Sequence, residues 1–175
     1  MTIEEFRVAS IYVLLNCEEV TPFVAEFDKH MRILYPQISN AQFDGLREEH
    51  FSSWLREYVL DDHKAVDNCI KALAMGPSRT MVHYNGYFVN CFKFHTLDYG
   101  SNKATMNSGV CVVGSCHTDY ERDYYGRLIE ILELEYLGDF GSKVILFKCD
   151  WFDTNGGVRV HRRFNLVELN HKKKL

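Results

Sequence analysis

The spacing of apolar residues changes period once along this chain, and that change limits the fold more than any other feature. Before Gly76 the apolar residues recur at helical spacing, as in Val20, Phe23, Val24, Phe27, Met31 and Leu34. After Gly76-Pro77-Ser78 they alternate instead. Ile145, Phe147, Cys149 and Trp151 fall on one parity, and Lys148 and Asp150 on the other. Gly-Pro-Ser is a turn signal, so it marks the boundary. The charge changes at the same place: 7 basic and 13 acidic residues precede Pro77, and 13 basic and 11 acidic residues follow. The reading is α+β: a helical segment over 1–75, a β-domain over 76–171, and a basic tail over 172–175.

Four helices are expected in the first part. Residues 6–15 are apolar almost throughout. Thr21-Pro22 reads as an N-cap followed by proline at the first helical position, and Tyr35-Pro36 ends that helix. Phe43, Leu46, His50, Phe51, Trp54, Leu55, Tyr58 and Val59 lie on one stripe. A short helix over about 62–75 places Val66, Ile70 and Leu73 inside, with Gly76 as its C-cap. These stripes need partners, and the chain begins inside an amphipathic pattern. The first part is therefore expected to be the remnant of something larger.

The second part carries hairpin signals. Asn85-Gly86 lies between apolar residues 81–84 and 87–94, and Asn155-Gly156-Gly157 lies between 144–152 and 158–160. A glycine-containing break over 138–142 separates two more runs. Residues 128–136 fit two periods. Ile129, Leu132 and Tyr136 suit a helix, whereas a strand with a bulge at Ile131/Leu132 turns five apolar residues to one side. The strand is preferred because its neighbours alternate. Six or seven short strands with tight turns suggest a small antiparallel β-barrel or sandwich. This portion is expected to fold without residues 1–75, and residues 1–75 are not expected to fold alone.

Composition excludes several classes. With 46% hydrophobic and 14% aromatic residues the chain is not disordered. No apolar run reaches the ~18 residues of a membrane span. MTIEEFRVAS has the character of neither a secretory signal nor an Arg-rich transit peptide. A net charge of −4 does not fit a wholly basic nucleic-acid binder. The six cysteines include no C-x-x-C pair and read as reduced thiols.

One ordered set of strings carries a resemblance. It comprises Gly76-Pro77-Ser78, Tyr84-x-Gly86-Tyr87-x-Val89-Asn90, Phe94-His95-Thr96 and Asn107-Ser108-Gly109-Val110. Tyr124-Tyr125-Gly126, Ile129-x-x-Leu132-x-Leu134-x-Tyr136, Phe147-Lys148-Cys149-Asp150-Trp151 and Phe164-x-Leu166-Val167-x-Leu169 follow. This order resembles the plant domain of unknown function 4216, found in proteins of En/Spm-like (CACTA) DNA transposons, over about residues 76–171. The run from Tyr12 to Val20 and the string Glu48-Glu49-His50-Phe51-x-x-Trp54-Leu55-Arg56 resemble the tail of domain of unknown function 4218, which commonly precedes it. The resemblance implies a transposon-derived fragment, nuclear and from a plant. It implies no transposase activity, because nothing here is similar to the catalytic domain of full-length relatives. The string from Tyr125 to Ile131, followed by a hairpin into 144–151, is also similar to the central hairpin of bromo-adjacent-homology and related SH3-like chromatin modules.

Catalytic chemistry finds little support. Cys91, His95, Cys111, Cys116, His117 and Cys149 include metal-ligand types, but most fall in apparent strands, where Cys91, Cys111 and Cys149 read as small core residues. Cys116-His117 are neighbours that point opposite ways on a strand, with no oxyanion signature beside them. Asp98, Asp119, Asp123, Asp150 and Asp153 do not form a recognisable two-metal set, and Asp150 beside Lys148 suits a cross-strand ion pair. No phosphate-loop string occurs. The expectation is a non-enzymatic module with no metal, no small-molecule cofactor and no membrane partner.

Binding residues are better candidates. Tyr84, Tyr87, Tyr124, Tyr125 and Phe152 are aromatics able to cage a methylated lysine or stack on bases, although core and cross-strand packing is their ordinary role. Arg159, Arg162 and Arg163 are candidate phosphate contacts. The lysines at 172–174 read as a frayed tail with a weak nuclear-localisation pattern. Expected partners are DNA or chromatin. The alternatives are other transposase segments, either around a catalytic core encoded elsewhere or in an assembly built on the apolar faces of residues 1–75.

Overall fold

A computed structural model describes residues 2–61, 63, 65–112, 123–138, 141–154, 158–161, 163–164, 166–170 and 172–174. It is α+β, with helices first and antiparallel pairing after them. α1 (Ile3–Leu15) opens on a capping box, in which the Thr2 hydroxyl accepts from the Glu5 amide and the Glu5 carboxylate accepts from the Thr2 amide. A 3-10 turn, Glu18–Val20, leads into α2 (Thr21–Leu34). Because that turn supplies Val20 as N-cap, Thr21 is already helical and is not the cap its sequence suggests. α3 (Asn40–Val59) has a second box, built by Ser39 and Gln42. α4 (Asn68–Met75) begins six residues later than the sequence suggests, because the Asp67 carboxylate accepts from the Cys69 amide and fixes the start there.

Eight strands are described: β1 (Pro77–Tyr84), β2 (Gly86–Val89), β3 (Phe92–His95), β4 (Gly109–Val112), β5 (Tyr124–Tyr136), β6 (Ser142–Trp151), β7 (Val158–His161) and β8 (Leu166–Leu169). A short helix, α5 (Leu97–Gly100), lies between β3 and β4. Residues 128–136 are thus strand. Leu128, Ile131, Leu132, Glu133, Leu134 and Tyr136 are all buried, on both parities. A single helical stripe would leave half of them in water, so burial on both faces favours the strand. It also removes the need for a bulge to bring Ile131 and Leu132 to one side.

β5 organises the main sheet, pairing with β1, β4 and β6. A strand has two edges, so three partners must share them. β4 takes Tyr124–Arg127, with Val112 opposite Tyr124 and Gly109 opposite Arg127. β2 pairs with β3, and β7 with β8, as separate two-stranded ribbons. The described strands therefore do not close into the barrel the sequence suggests. Closure needs each strand to have a partner on both edges, and the two ribbons pair only within themselves.

The turn in β2–β3 also differs from expectation. The two-residue loop is Asn90-Cys91, with φ of 48° and 69°, and not Asn85-Gly86. Gly86 begins β2, opposite His95. A Cβ there would lie 2.9 Å from both His95 Cδ2 and the Phe94 carbonyl oxygen. Gly86 is needed for close approach across the ribbon, not for a turn.

The chain divides into two compact units. One is Met1–Met81 with Leu134–Val144, and the other is Val82–Glu133 with Ile145–Leu175. In the first, Phe27 meets Phe51 and Trp54 edge-on, both at 5.4 Å, and Ile11, Leu14, Leu55, Ile70 and Leu73 are buried. Arg47 holds Asp28 in an ion pair and lies over the Phe43 ring. In the second, Leu128, Ile131, Leu132 and Phe152 are the buried apolar residues among those described. No single described helix is long and apolar enough to cross a membrane.

Candidate nucleic-acid interface

The β7–β8 ribbon gives the last cationic residues a common face. Arg159 stands opposite Glu168, and His161 opposite Leu166. Strand alternation puts these four on one side and Val158, Val167 and Leu169 on the other. Arg159, Leu166 and Glu168 are exposed. Glu168 Oε1 lies 3.2 Å from His161 Nε2, so a carboxylate shares this face with the basic side chains. At the tip, Phe164 is 66% exposed and the Arg163 guanidinium lies 5.5 Å from its ring centroid. An exposed ring beside an exposed guanidinium offers a stacking surface and a charge together. Arg162 lies outside the described residues.

The tail that follows is ordered onto the sheet, contrary to the frayed reading. Lys172 and Lys173 donate their amides to the Asn170 side chain and carbonyl, at 3.1 and 3.0 Å. Lys174 forms an antiparallel bridge with Phe152, and the Asp153 amide donates to the Lys173 carbonyl at 3.1 Å. The Lys174 ammonium bonds the Asp150 carboxylate, which Arg127 also approaches. Asp150 thus pairs with Lys174, while Lys148 pairs with Glu130 at 3.1 Å. The Lys174 hydrogen bond holds the Asp150 carboxyl below the usual range. Lys172 and Lys173 keep their side chains in water.

The aromatic candidates are dispersed. Tyr84 donates its hydroxyl to the buried Glu133 carboxylate at 2.9 Å, and its ring lies 5.8 Å from Tyr87. Tyr87 and Phe94 pack against Phe147. Tyr124 is 52% exposed, and Tyr125, its neighbour on β5, points to the opposite face and donates to Asp123 at 3.1 Å. Phe152 is 5% exposed, so its ring presents no face to a ligand. Trp151 packs on Gly126, where a Cβ would lie 2.8 Å from its ring. The structure brings Tyr84 and Tyr87 together, and separately Arg159 and Arg163 to one ribbon.

Among the described residues no group of three or more His, Cys, Asp or Glu is placed to hold a metal ion. Cys91 and Cys111 are exposed and are not the core residues their surroundings in sequence suggest. Cys91 is carried into water by the β2–β3 turn, and Cys111 lies on β4 opposite Tyr125. Burial pushes the half-buried Cys149 thiol up to about 11, so it is protonated and weakly nucleophilic near neutrality. Cys116 and His117 lie outside the described residues.

Phe164 is a candidate that sequence reasoning passed over, and Lys174 is one it assigned to a frayed tail. Phe164 carries a readable signal, an aromatic directly after Arg163 in a turn. Lys174 carries none, because its partner Asp150 is 24 residues away.

These features define an α+β protein with a two-stranded β-ribbon that carries Arg159, Arg163 and Glu168 and has an exposed ring at its tip. The sequence profile of the domain of unknown function 4216 matches residues 132–175, which include that ribbon. No match is found among curated proteins or among solved structures.

Proposed function

We propose that this chain is a non-catalytic, transposon-derived module that contacts DNA in the nucleus through the β7–β8 ribbon. The observation that carries the reading is the exposed Phe164 at the ribbon tip with the exposed Arg163 guanidinium beside its ring, on the ribbon that also carries the exposed Arg159. The unit holding them has 11 basic and 9 acidic residues, whereas the whole chain has a net charge of −4. Backbone phosphates are the partner such a surface fits, and they supply most of non-specific affinity. The CACTA origin and the preceding 4218-like tail rest on the sequence resemblance alone. So does an SH3-like or bromo-adjacent-homology-like character for the second unit, which would direct the module toward chromatin.

The test is binding to a fluorescent duplex across a salt series. Affinity is expected to fall steeply with salt. Arg159→Ala with Arg163→Ala is expected to flatten the logarithmic slope by about 1.8, or ~0.9 per phosphate contact. Binding that ignores salt, or a slope the double variant leaves unchanged, removes the phosphate reading.

A further inference from the structure

Asp150 occupies the position a phosphate would take among cations. Its Oδ2 accepts from the Lys174 ammonium and lies 4.0 Å from the Arg127 guanidinium. Lys148 is two residues away on β6 and adds a weaker attraction. All the groups reach water: side-chain exposure is 34% for Arg127, 37% for Asp150 and 47% for Lys174. An ion pair this exposed is weak and exchanges readily. The segment bearing Lys174 is held by the Phe152 bridge and the Asp153 amide, and it follows directly on the exposed Lys172 and Lys173.

Resting on the nucleic-acid reading above, we propose that Arg127 and Lys174 are further phosphate-contacting residues, held in reserve by Asp150. A polyanion takes Lys174 and Arg127 from that carboxylate, and the C-terminal strap then joins the ribbon in one contact surface. Asp150 is thereby an internal competitor that weakens binding to short or sparsely charged ligands more than to continuous nucleic acid. The extra contacts form only when several phosphates are presented together.

The experiment uses the full chain and the same duplex. Asp150→Asn is expected to raise affinity several-fold at low salt, because the duplex no longer has to displace the carboxylate from Lys174 and Arg127. Adding Lys174→Ala to that variant returns about half of the gain. Asp98→Asn, which removes one exposed charge from the same unit, is the control for net charge. Lys174→Gln, which leaves Asp150 in place, lowers the slope by about 0.9 and serves if Asp150→Asn fails to fold by circular dichroism. An unchanged affinity in Asp150→Asn, or an unchanged slope in Lys174→Gln where that variant serves, overturns the proposal, as does an equal gain from Asp98→Asn. If Arg159→Ala with Arg163→Ala still weakens binding in that case, the nucleic-acid reading survives. A wild-type chain that shows no salt-dependent binding removes both.

Discussion

Cys91 takes the second place of a two-residue turn with φ of 69°, a region in which a side chain clashes with its own backbone. Asn90, at 48°, suits such a position better, because its short polar side chain tolerates left-handed backbone. Cys91→Gly removes the clash, partly offset by the greater freedom of glycine in the unfolded chain. The expected net gain is about 1 kcal/mol, read from the denaturant midpoint. Five residues earlier in the same ribbon the logic reverses. Gly86→Ala puts a methyl 2.9 Å from the Phe94 carbonyl oxygen and His95 Cδ2. It is expected to cost about 1–3 kcal/mol. A neutral Gly86→Ala would mean that His95 swings away at no cost. The sequence shows why Asn85-Gly86 attracts a turn reading: the dipeptide is the favoured hairpin loop, and a sequence cannot show that its glycine faces an imidazole across the ribbon. Asn90-Cys91 hides for the opposite reason, since cysteine is not a turn residue.

Elements were legible where their signals are local. The stripe through Phe51 and Leu55 is encoded within a few residues of where it acts, whereas the capping boxes at Thr2 and Ser39, although equally local, went unread. Strand pairing is not encoded that way. β5 pairs with β1 and β4, whose partner residues lie a dozen or more positions away in the chain. Leu134 is fully buried and Ile129 only half-buried. Leu134→Ala is therefore expected to cost about 3–5 kcal/mol and Ile129→Ala distinctly less, by chemical denaturation. Equal losses would indicate that Ile129 is packed as fully as Leu134. The candidate interface divides in the same manner. Arg159 and Arg163 were readable as cations beside strands, and the attachment of Lys174 to Asp150 was not, because no local pattern links the tail to β6.

At the level of the whole molecule, the compact units do not follow the composition boundary at Gly76. Leu134–Val144 belongs with Met1–Met81, and Tyr136 lies in that unit at 1% exposure. Its hydroxyl has no hydrogen-bond partner among the described residues, and burial pushes the phenol up to about 12. The folded value is the higher one, so the contribution to stability is complete below the ordinary value of 10 and is lost as pH rises toward 12. The loss amounts to about 2–3 kcal/mol at 1.36 kcal/mol per unit. Tyr136→Phe removes that alkaline loss, and it leaves stability near neutral pH unchanged or slightly raised because it deletes an unpaired buried hydroxyl. The difference between wild type and variant, followed by denaturation across alkaline pH, isolates this group from the other tyrosines. The same phenol reports on the division of the chain. A fragment of residues 77–175 retains β5 but lacks α1 to α4, so Tyr136 is expected to ionise near 10, by the change in ultraviolet absorbance between the fragment and its own Tyr136→Phe variant. If the phenol in the fragment stays near 12, the strand-rich portion buries Tyr136 by itself, and the boundary at Gly76 is the one along which the protein folds.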